Sequence, residues 1–447
     1  MRIKMQAAAA IGALACLVLS GCGGGASDSP ATSGGPSASG GGDVAAEAPA
    51  GELKVLTHRT DLDQDGTLQG YADQFMAKYP EVTKVEFESI TAYDDDVPLR
   101  LSTGDFGDVL SIPNGVTNDQ LAQFFEPIGS KADLSAKYRF LDSFAVGEQV
   151  YGLAQGGIAT GVVYNKKVFA DAGVTTAPTS YDDFLAALEA VKANTDAVPL
   201  YTNYKDGWPL GDLQRNMGVA KGNANAKNDM TGDDAPWAEG GDAYWLDSLL
   251  YDAVDRGLTE ADPTTTNWEE SKTLLGSGQV ATLVLQSWAI SQMQTAAVDA
   301  GASADDIGFL PVPSAVAGKS YAAVLGDRYY AVNAKSANKV TAKAWVEFMI
   351  EESGYDAKEG FVSTLKSAPL PSNLSALSDL GTELFEPTAA PAGEEGLFDA
   401  IDTAAEIGFS SAPYRQALVD KARQHTAKAD AFGELNAKWA AGRAAAG

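Results

Sequence analysis

Short apolar runs separated by amphipathic stretches organise most of the chain. Residues 53–57, 84–88 and 108–112 have the composition and alternation of β-strands. Between the first two, residues 67–79 place their apolar side chains on one helical face, and Pro80 ends that helix. Strand, helix, strand, helix and strand in this order predict an α/β fold with a mainly parallel sheet and helices on both faces.

A second block of the same kind makes up the rest of the chain. It is predicted to contain strands at 161–165, 280–285, 307–310 and 324–332, and helices after Pro178, at 340–350 and from Leu397 onwards. A chain of 447 residues is too long for one compact core. We therefore expect two domains.

The first residues have the order of a secretion signal. Arg2 and Lys4 precede an apolar run from 7 to 19, which overlaps the sequence Leu19-Ser20-Gly21-Cys22. This ending resembles the lipobox of bacterial lipoproteins. The resemblance implies a signal peptide at 1–21 and a diacylglycerol anchor on the Cys22 thiol. An ordinary signal peptide with an incidental cysteine is the alternative.

Composition separates a tether from the body of the protein and limits the chemistry of that body. Residues 22–50 are mainly Gly, Ser, Ala and Pro, which predicts a disordered tether. The chain has two cysteines, Cys16 and Cys22, so the body has no disulfide, cysteine nucleophile or thiolate metal site. The net charge of -28 argues against nucleic acid as a partner.

Motifs for catalysis are absent from the sequence. There is no Gly-x-Ser-x-Gly elbow, no His-Glu-x-x-His and no phosphate-binding loop. We therefore expect no enzyme activity, no cofactor and no metal. Carboxylates are numerous enough that a glycosidase pair is not excluded, so a lipid-anchored carbohydrate-active enzyme remains the alternative.

Several stretches together carry a family resemblance. Residues 151–154 with 161–169, then 278–288, then 307–313 with 326–330 occur in the order and spacing of one family. They resemble the extracellular solute-binding proteins of carbohydrate ABC importers, the relatives of maltose-binding protein. The start of the body, residues 57–61, resembles one branch of that family.

The resemblance implies a two-lobed periplasmic-binding-protein-like fold of type II with a hinge. Lobe 1 would comprise residues 52–160 plus 331–368, and lobe 2 residues 161–325 plus 372–447. A carbohydrate, expected to be an oligosaccharide, would bind between the lobes, and hinge closure would bury it. The partners would be the permease subunits of an ABC transporter. The protein would be a monomer, lipid-anchored on the outer face of the membrane of a Gram-positive cell.

Polar side chains follow two strands of predicted lobe 1, where open α/β sheets bind ligands. His58, Arg59, Asp61 and Asp63 come after the first strand, and Asn114 follows the third. We predict that they bind sugar hydroxyls. In the alternative, Arg59 pairs with a neighbouring acid while the others cap the next helix, and Asn114 only forms a turn.

The acidic stretch after the first strand also matches the opening of a calcium loop. Asp61, Asp63 and Asp65 alternate and are followed by Gly66. The closing position, where a bidentate Glu belongs, is occupied by Ala72. We therefore predict a polar turn rather than a metal site.

Aromatic side chains follow the strands of predicted lobe 2. Tyr204 and Trp208 lie in a loop before a helix, and Trp288 ends an apolar strand. Aromatic rings suit the apolar faces of sugars, so we predict that these three contact the ligand. Core packing is the alternative for Trp288.

Two further pairs are ambiguous. Asp327 and Arg328 lie in the middle of a strand at the presumed hinge, where a buried charge requires a partner. They are predicted either to contact ligand or to form a structural ion pair. Trp237 and Trp245 lie in an irregular acidic stretch and belong either to a lid or to the core.

Overall fold

The computed structural model describes residues 48–446 of the chain. The predicted signal peptide, Cys22 and most of the predicted tether lie outside the described residues. The strands are β1 (Gly51–Thr57), β2 (Val82–Ser89), β3 (Val109–Ser111), β4 (Phe125–Glu126), β5 (Gly129–Ser130), β6 (Ala145–Val146), β7 (Gln149–Val150), β8 (Leu153–Asn165), β9 (Val198–Leu200), β10 (Val280–Gln286), β11 (Ile307–Leu310), β12 (Tyr321–Asn333) and β13 (Glu383–Phe385).

The central sheet is mixed. Its strand order is β2-β1-β3-β12-β8-β10-β9, with β11 on β8, and β4 and β13 on β12. β1 is parallel to both β2 and β3, which confirms the alternating strand–helix pattern at the start of the body. The expectation of a mainly parallel sheet is wrong, because β8 and β12 run antiparallel to each other through its middle. β12 is also antiparallel to β3, and β8 to β10.

β8 and β12 are paired with each other in the middle of the sheet, and both pass from one half of it to the other. Glycines lie in the segment where the two strands pass between the halves. Gly157 lies opposite Gly326. A Cβ on Gly157 would lie 2.4 Å from Cζ of Phe140, and one on Gly156 would lie 2.7 Å from Cβ of Phe361. The absence of side chains at these positions therefore lets the two rings cover the crossing strands closely.

Helices pack on both faces of the sheet. They are α1 (Thr60–Gln64), α2 (Thr67–Lys78), α3 (Tyr93–Leu101), α4 (Asn118–Phe124), α5 (Lys131–Leu134), α6 (Lys166–Asp171), α7 (Tyr181–Asn194), α8 (Trp208–Asp212), α9 (Ala226–Thr231), α10 (Asp242–Asp255), α11 (Trp268–Gly276), α12 (Ala289–Asp299), α13 (Lys339–Glu351), α14 (Tyr355–Glu359), α15 (Ser375–Asp379), α16 (Leu397–Ala405), α17 (Ala412–Arg423) and α18 (Lys428–Ala446).

The alternation along β1 determines which helices each face contacts. Leu56 packs in one cluster with Val97 of α3, whereas Val55 packs in another with Phe75 of α2 and Trp345 of α13. Successive side chains of a strand point to opposite faces, so both faces of this sheet are buried. In residues 48–446, no helix is long and apolar enough to cross a membrane.

Candidate ligand-binding cleft

Arg59 follows β1, and other parts of the protein hold its guanidinium. Its Nε and Nη2 donate to the two carboxylate oxygens of Asp61 at 2.9 and 2.7 Å. Its Nη1 donates to Tyr355 Oη and to Glu359 Oε2, both at 2.8 Å. Four of the five guanidinium N–H groups are thereby occupied. The structure thus contains the pairing that the sequence offered as the alternative, and Arg59 has one donor left for a ligand.

The other acids of this loop also have protein partners. Asp63 Oδ2 accepts from Ser89 Oγ at 2.5 Å, and Asp65 Oδ1 accepts from the backbone N–H of Thr67 at 2.9 Å. Among residues 48–446, no group of three or more His, Cys, Asp or Glu side chains is arranged to hold a metal ion. The acidic stretch forms α1 and its connection to α2.

His58 is the side chain of this loop that retains hydrogen-bonding capacity. Its Nδ1 is buried and has no hydrogen-bond partner within the described residues. The imidazole meets the ring of Tyr93 at a steep angle, with centroids 5.9 Å apart. Burial, and then the positive charges of Arg328 and Arg59, lower the pKa of His58 to about 4. A neutral imidazole offers one donor and one acceptor, which suits a hydroxyl group.

Asp94, at the start of α3, joins Asn114 to Arg328. Its two oxygens accept from Nη1 and Nη2 of Arg328, both at 2.8 Å. They also accept from the backbone N–H and the side-chain Nδ2 of Asn114, both at 2.9 Å. The ion pair of Arg328 is therefore made with Asp94 rather than with its neighbour Asp327. Arg328 has a φ of 41°, a left-handed conformation that the bidentate pair helps to hold.

Asp327 is the charged group of the crossing strands that lacks a side-chain partner in the described chain. Burial raises the pKa of its carboxyl group, while the charges of Arg328 and Arg215 act in the opposite direction. Arg215 lies in a 3-10 helix, Leu213–Asn216. The backbone of Arg328 hydrogen-bonds to the carboxyl group of Asp327, but no side chain of the described residues pairs with it, so its remaining hydrogen-bonding capacity is available to a ligand.

Trp288 and Trp208 lie together at the carboxyl ends of the strands of the second half. Trp288 follows β10, and its Nε1 donates to Gln286 Oε1 at 3.0 Å. Trp208 begins α8, and 38% of its surface is exposed. The two ring centroids are 5.9 Å apart with their planes inclined by 37°. Trp288 also packs against the core, which is the role that the sequence offered as the alternative.

Trp268 is a third member of this cluster that the sequence analysis did not single out. It begins α11, and its ring lies 4.8 Å from Trp208 and 5.8 Å from Trp288. Asn267 caps α11 by accepting from the backbone N–H of Glu270 at 3.0 Å. That N-cap in front of a tryptophan was the available signal, since it places the ring at a helix start.

The remaining aromatic candidates lie elsewhere. Tyr204 donates to the carboxylate of Asp420 in α17, with both O–O distances 3.1 Å. Trp237 is 1% exposed and donates from Nε1 to Asp247 at 2.8 Å, which makes it a core residue. Trp245 packs on the ring of Tyr181 at 5.2 Å. None of these three rings contacts the tryptophan cluster within the described residues.

A separate cavity lies beneath α10 in the second half of the body. Its walls are mostly apolar; among them are Leu200, Leu210, Leu249, Leu250, Val284 and Val312. Sugar hydroxyls lose hydrogen bonds to water in such a cavity without replacing them. We therefore place the candidate site at the strand ends, where polar and aromatic groups occur together.

The chain is similar to proteins of a known family and to solved structures. Residues 60–356 match the model of a protein family described as bacterial extracellular solute-binding protein. A manno-oligosaccharide specific solute-binding protein from Bifidobacterium animalis subsp. lactis, solved with mannotriose, is 31% identical. The match covers 89% of this chain and 95% of that one, with a TM-score of 0.73. A second binding protein of an ABC transporter from that organism, solved with mannobiose, is 30% identical over 88% of this chain and 95% of that one, with a TM-score of 0.72.

Two characterised relatives extend the comparison. The diacetylchitobiose binding protein DasA of Streptomyces coelicolor is 24% identical over 412 residues, which is 88% of each chain. The multiple sugar-binding protein of Streptococcus mutans is 26% identical over 171 residues, or 37% of this chain and 40% of that protein. The solved relatives confirm the predicted two-lobed fold. By the family match, this chain belongs to the bacterial extracellular solute-binding proteins.

Proposed function

We propose that this protein captures an oligosaccharide between its two lobes and delivers it to the permease of an ABC importer. The observation that carries the proposal is the position of Trp208 and Trp288 at strand ends in one half. The polar groups of His58, Asn114 and Asp327 lie at strand ends or at the crossing strands. Aromatic faces suit the C–H faces of sugars, and the polar groups suit their hydroxyls.

The two halves of the body are proposed to be the lobes predicted from the sequence. Lobe 1 takes residues 52–160 plus 331–368, and lobe 2 takes 161–325 plus 372–447. The glycines of β8 and β12 lie between them and support a hinge there. Closure about these strands would bring the aromatic and polar groups onto opposite sides of one ligand.

The proposed site residues have two kinds of role. Trp208, Trp288, His58, Asn114 and Asp327 would contact the sugar, because each has an exposed face or a free hydrogen-bonding atom. A second group would hold the loops in place, since its polar atoms are engaged with protein. That group is Arg59, Asp61, Asp63, Tyr204 and Arg328.

The saccharides named for the relatives indicate which ligands to test first. The two Bifidobacterium proteins were solved with mannotriose and mannobiose, and DasA is named for diacetylchitobiose. All three are short chains of pyranose rings. We propose a ligand of the same class, with manno-oligosaccharides tested before chitin-type ones because those relatives are the more similar by identity.

The family is extracellular, and the proposal extends to attachment. We propose that Cys22 carries the lipid, that residues 22–50 form the tether, and that the monomer works on the outer face of a Gram-positive membrane. Metabolic labelling with a fatty acid tests the anchor. The label should be lost in a Cys22→Ala variant and retained in Cys16→Ala of the unprocessed chain.

A thermal-shift screen against mono- and oligosaccharides tests the binding function. A ligand at a hundredfold excess over its Kd should stabilise the folded protein by about 2.7 kcal/mol. If no saccharide raises the melting temperature while a peptide or polyamine does, the carbohydrate assignment is wrong. Chromatography of the incubated sugars separates a receptor from an enzyme, because a receptor returns the oligosaccharide intact.

A matched pair of variants tests the site. Trp288→Ala should weaken binding by about 30-fold, the loss expected when a central interface tryptophan worth about 2 kcal/mol is truncated. Trp245→Ala removes a tryptophan of the same lobe that lies outside the cluster, and should leave the Kd within about twofold. Equal losses in the two folded variants would refute the placement of the site.

A further inference from the structure

Trp268 contacts both tryptophans of the proposed site, and the three ring centroids form a triangle with sides of 4.8, 5.8 and 5.9 Å. Its plane is inclined by 77° to Trp208 and by 63° to Trp288. Trp208 and Trp288 are inclined to each other by 37°. Trp268 therefore meets both of the other rings at a steep angle. Edge-to-face contact of this kind is favourable in aromatic pairs.

Trp268 is also the best anchored of the three. Its backbone N–H donates to Asp206 Oδ2 at 2.5 Å, and the preceding Thr266 Oγ1 accepts from the backbone N–H of Lys205 at 2.8 Å. These two bonds tie the start of α11 to the loop that carries Trp208. The ammonium of Lys272 lies 5.1 Å from the Trp268 ring centroid, a distance at which cation–π attraction operates.

The other two rings have less support of their own. Trp208 is 38% exposed and begins a helix of five residues. Trp288 packs against the same core cluster as Trp268 and makes one side-chain hydrogen bond, to Gln286 at its own strand end. They approach from two different loops, one after β9 and one after β10. Trp268 is therefore the part of the structure that fixes one of these rings relative to the other.

We propose that Trp268 is a positioning residue that holds Trp208 and Trp288 as one platform for two adjacent sugar rings of the ligand. The inference rests on the proposed sugar-binding function and adds a minimum length of two rings. The 5.9 Å between the ring centroids is comparable to the spacing of neighbouring rings in a glycan chain. A monosaccharide would occupy one face and gain little from the fixed angle.

The test compares ligand lengths in two variants. Kd values for a monosaccharide and for the disaccharide of the same unit are measured by calorimetry, the weaker ligand by displacement. In the wild-type protein the disaccharide should bind more tightly. Trp268→Leu should weaken the disaccharide by about 10-fold, since two aromatic contacts are lost, and the monosaccharide by no more than about twofold. Trp268→Phe keeps an aromatic edge and should recover most of the disaccharide affinity.

A control variant and circular dichroism distinguish the loss of the positioning role from a folding defect. Trp245→Leu is the control for loss of a lobe 2 tryptophan, and it should leave the ratio of the two Kd values unchanged. The near-ultraviolet circular dichroism of Trp268→Leu should lose the signal of the coupled indoles while the far-ultraviolet spectrum is retained. If Trp268→Leu does not fold, Trp268→Phe carries the test, with a smaller loss that is again greater for the disaccharide.

The outcomes separate this inference from the function on which it rests. If the wild-type protein binds mono- and disaccharide equally, or if the folded Trp268 variant weakens both by the same factor, the positioning role is wrong and the sugar receptor stands. If the wild-type protein binds neither ligand nor any longer saccharide, the proposed function itself is wrong, and the inference falls with it.

Discussion

A buried ion pair in the second half of the protein gives a sharp prediction about stability. Arg415 in α17 and Asp247 in α10 have fully buried side chains, with Nε 3.1 Å from Oδ1. Asp247 Oδ2 also accepts from Trp237 Nε1 at 2.8 Å and from Tyr414 Oη. Arg415 Nη1 donates to the carbonyl of Phe409 at 2.9 Å. The pair therefore joins two helices and two aromatic rings.

The substitution Asp247→Asn keeps the shape of this site and removes one charge. Arg415 stays buried and charged, and its Nη2 already has no hydrogen-bond partner within the described residues. Removing one partner of a buried ion pair costs about 3–5 kcal/mol. Natural domains have about 5–15 kcal/mol of stability in total, so the variant should lose a large part of it. The melting temperature should fall by about 4–6 °C for a body of this size.

Urea unfolding followed by tryptophan fluorescence measures the loss. Glu189→Gln is the control, because its ion pair with Arg256 at 2.9 Å is about half exposed on both sides. It should cost less than about 1 kcal/mol. The double variant Asp247→Asn with Arg415→Met should be more stable than Asp247→Asn alone, because no uncompensated charge remains and the amide oxygen can still accept from Trp237 and Tyr414. The reasoning is refuted if Asp247→Asn and Glu189→Gln lose the same free energy of unfolding.

Two further predictions concern the site loop and the glycines. Burial holds the pKa of His58 at about 4 instead of 6.5, so the unfolded chain takes up this proton first as the pH falls. Stability should then decrease from about pH 6.5 to pH 4 by up to about 3 kcal/mol through this group. In a pH series of urea titrations, His58→Gln should flatten this slope. Gly70→Ala lies on α2, where an added Cβ would have no atom within 4 Å. It should raise the free energy of unfolding by about 0.5–1 kcal/mol. In Gly157→Ala the added Cβ would collide with the Phe140 ring, which should lower the free energy of unfolding by about 1–3 kcal/mol in the same assay. If both glycine variants changed this free energy in the same direction, the packing argument would be contradicted.

Local patterns in the sequence predicted the elements well, because each depends on neighbours in the chain. The predicted helix at 67–79 is α2, and the predicted strand at 280–285 lies within β10. Whether two strands pair in parallel or antiparallel was harder to predict, since it depends on strands that are distant in the sequence. β8 reads as an ordinary apolar strand, but it is a 13-residue strand antiparallel to β12, more than 150 residues later.

The candidate site shows the same limit for side chains. The position of Arg59 after β1 could be predicted, because a strand end is a local feature. Whether the Arg59 guanidinium is free to bind a ligand could not be predicted, since its partners Tyr355 and Glu359 lie about 300 residues further along the chain. In the same way, Arg328 finds its counter-charge in Asp94 rather than in the adjacent Asp327. Local charge patterns locate such groups, and tertiary contacts decide which of them remain available.

The ion pairs of the arginines near the proposed site affect how this site would recognise sugars. Arg59 and Arg328 are already paired with Asp61, Glu359 and Asp94, so a ligand would not have to order them or remove their hydration. The groups left with capacity, the neutral His58 among them, match hydroxyls rather than formal charges. An ordered site of this kind loses little conformational entropy on binding. The net charge of -28 is then compatible with an uncharged ligand, because both arginines near the proposed site are engaged with carboxylates of the protein.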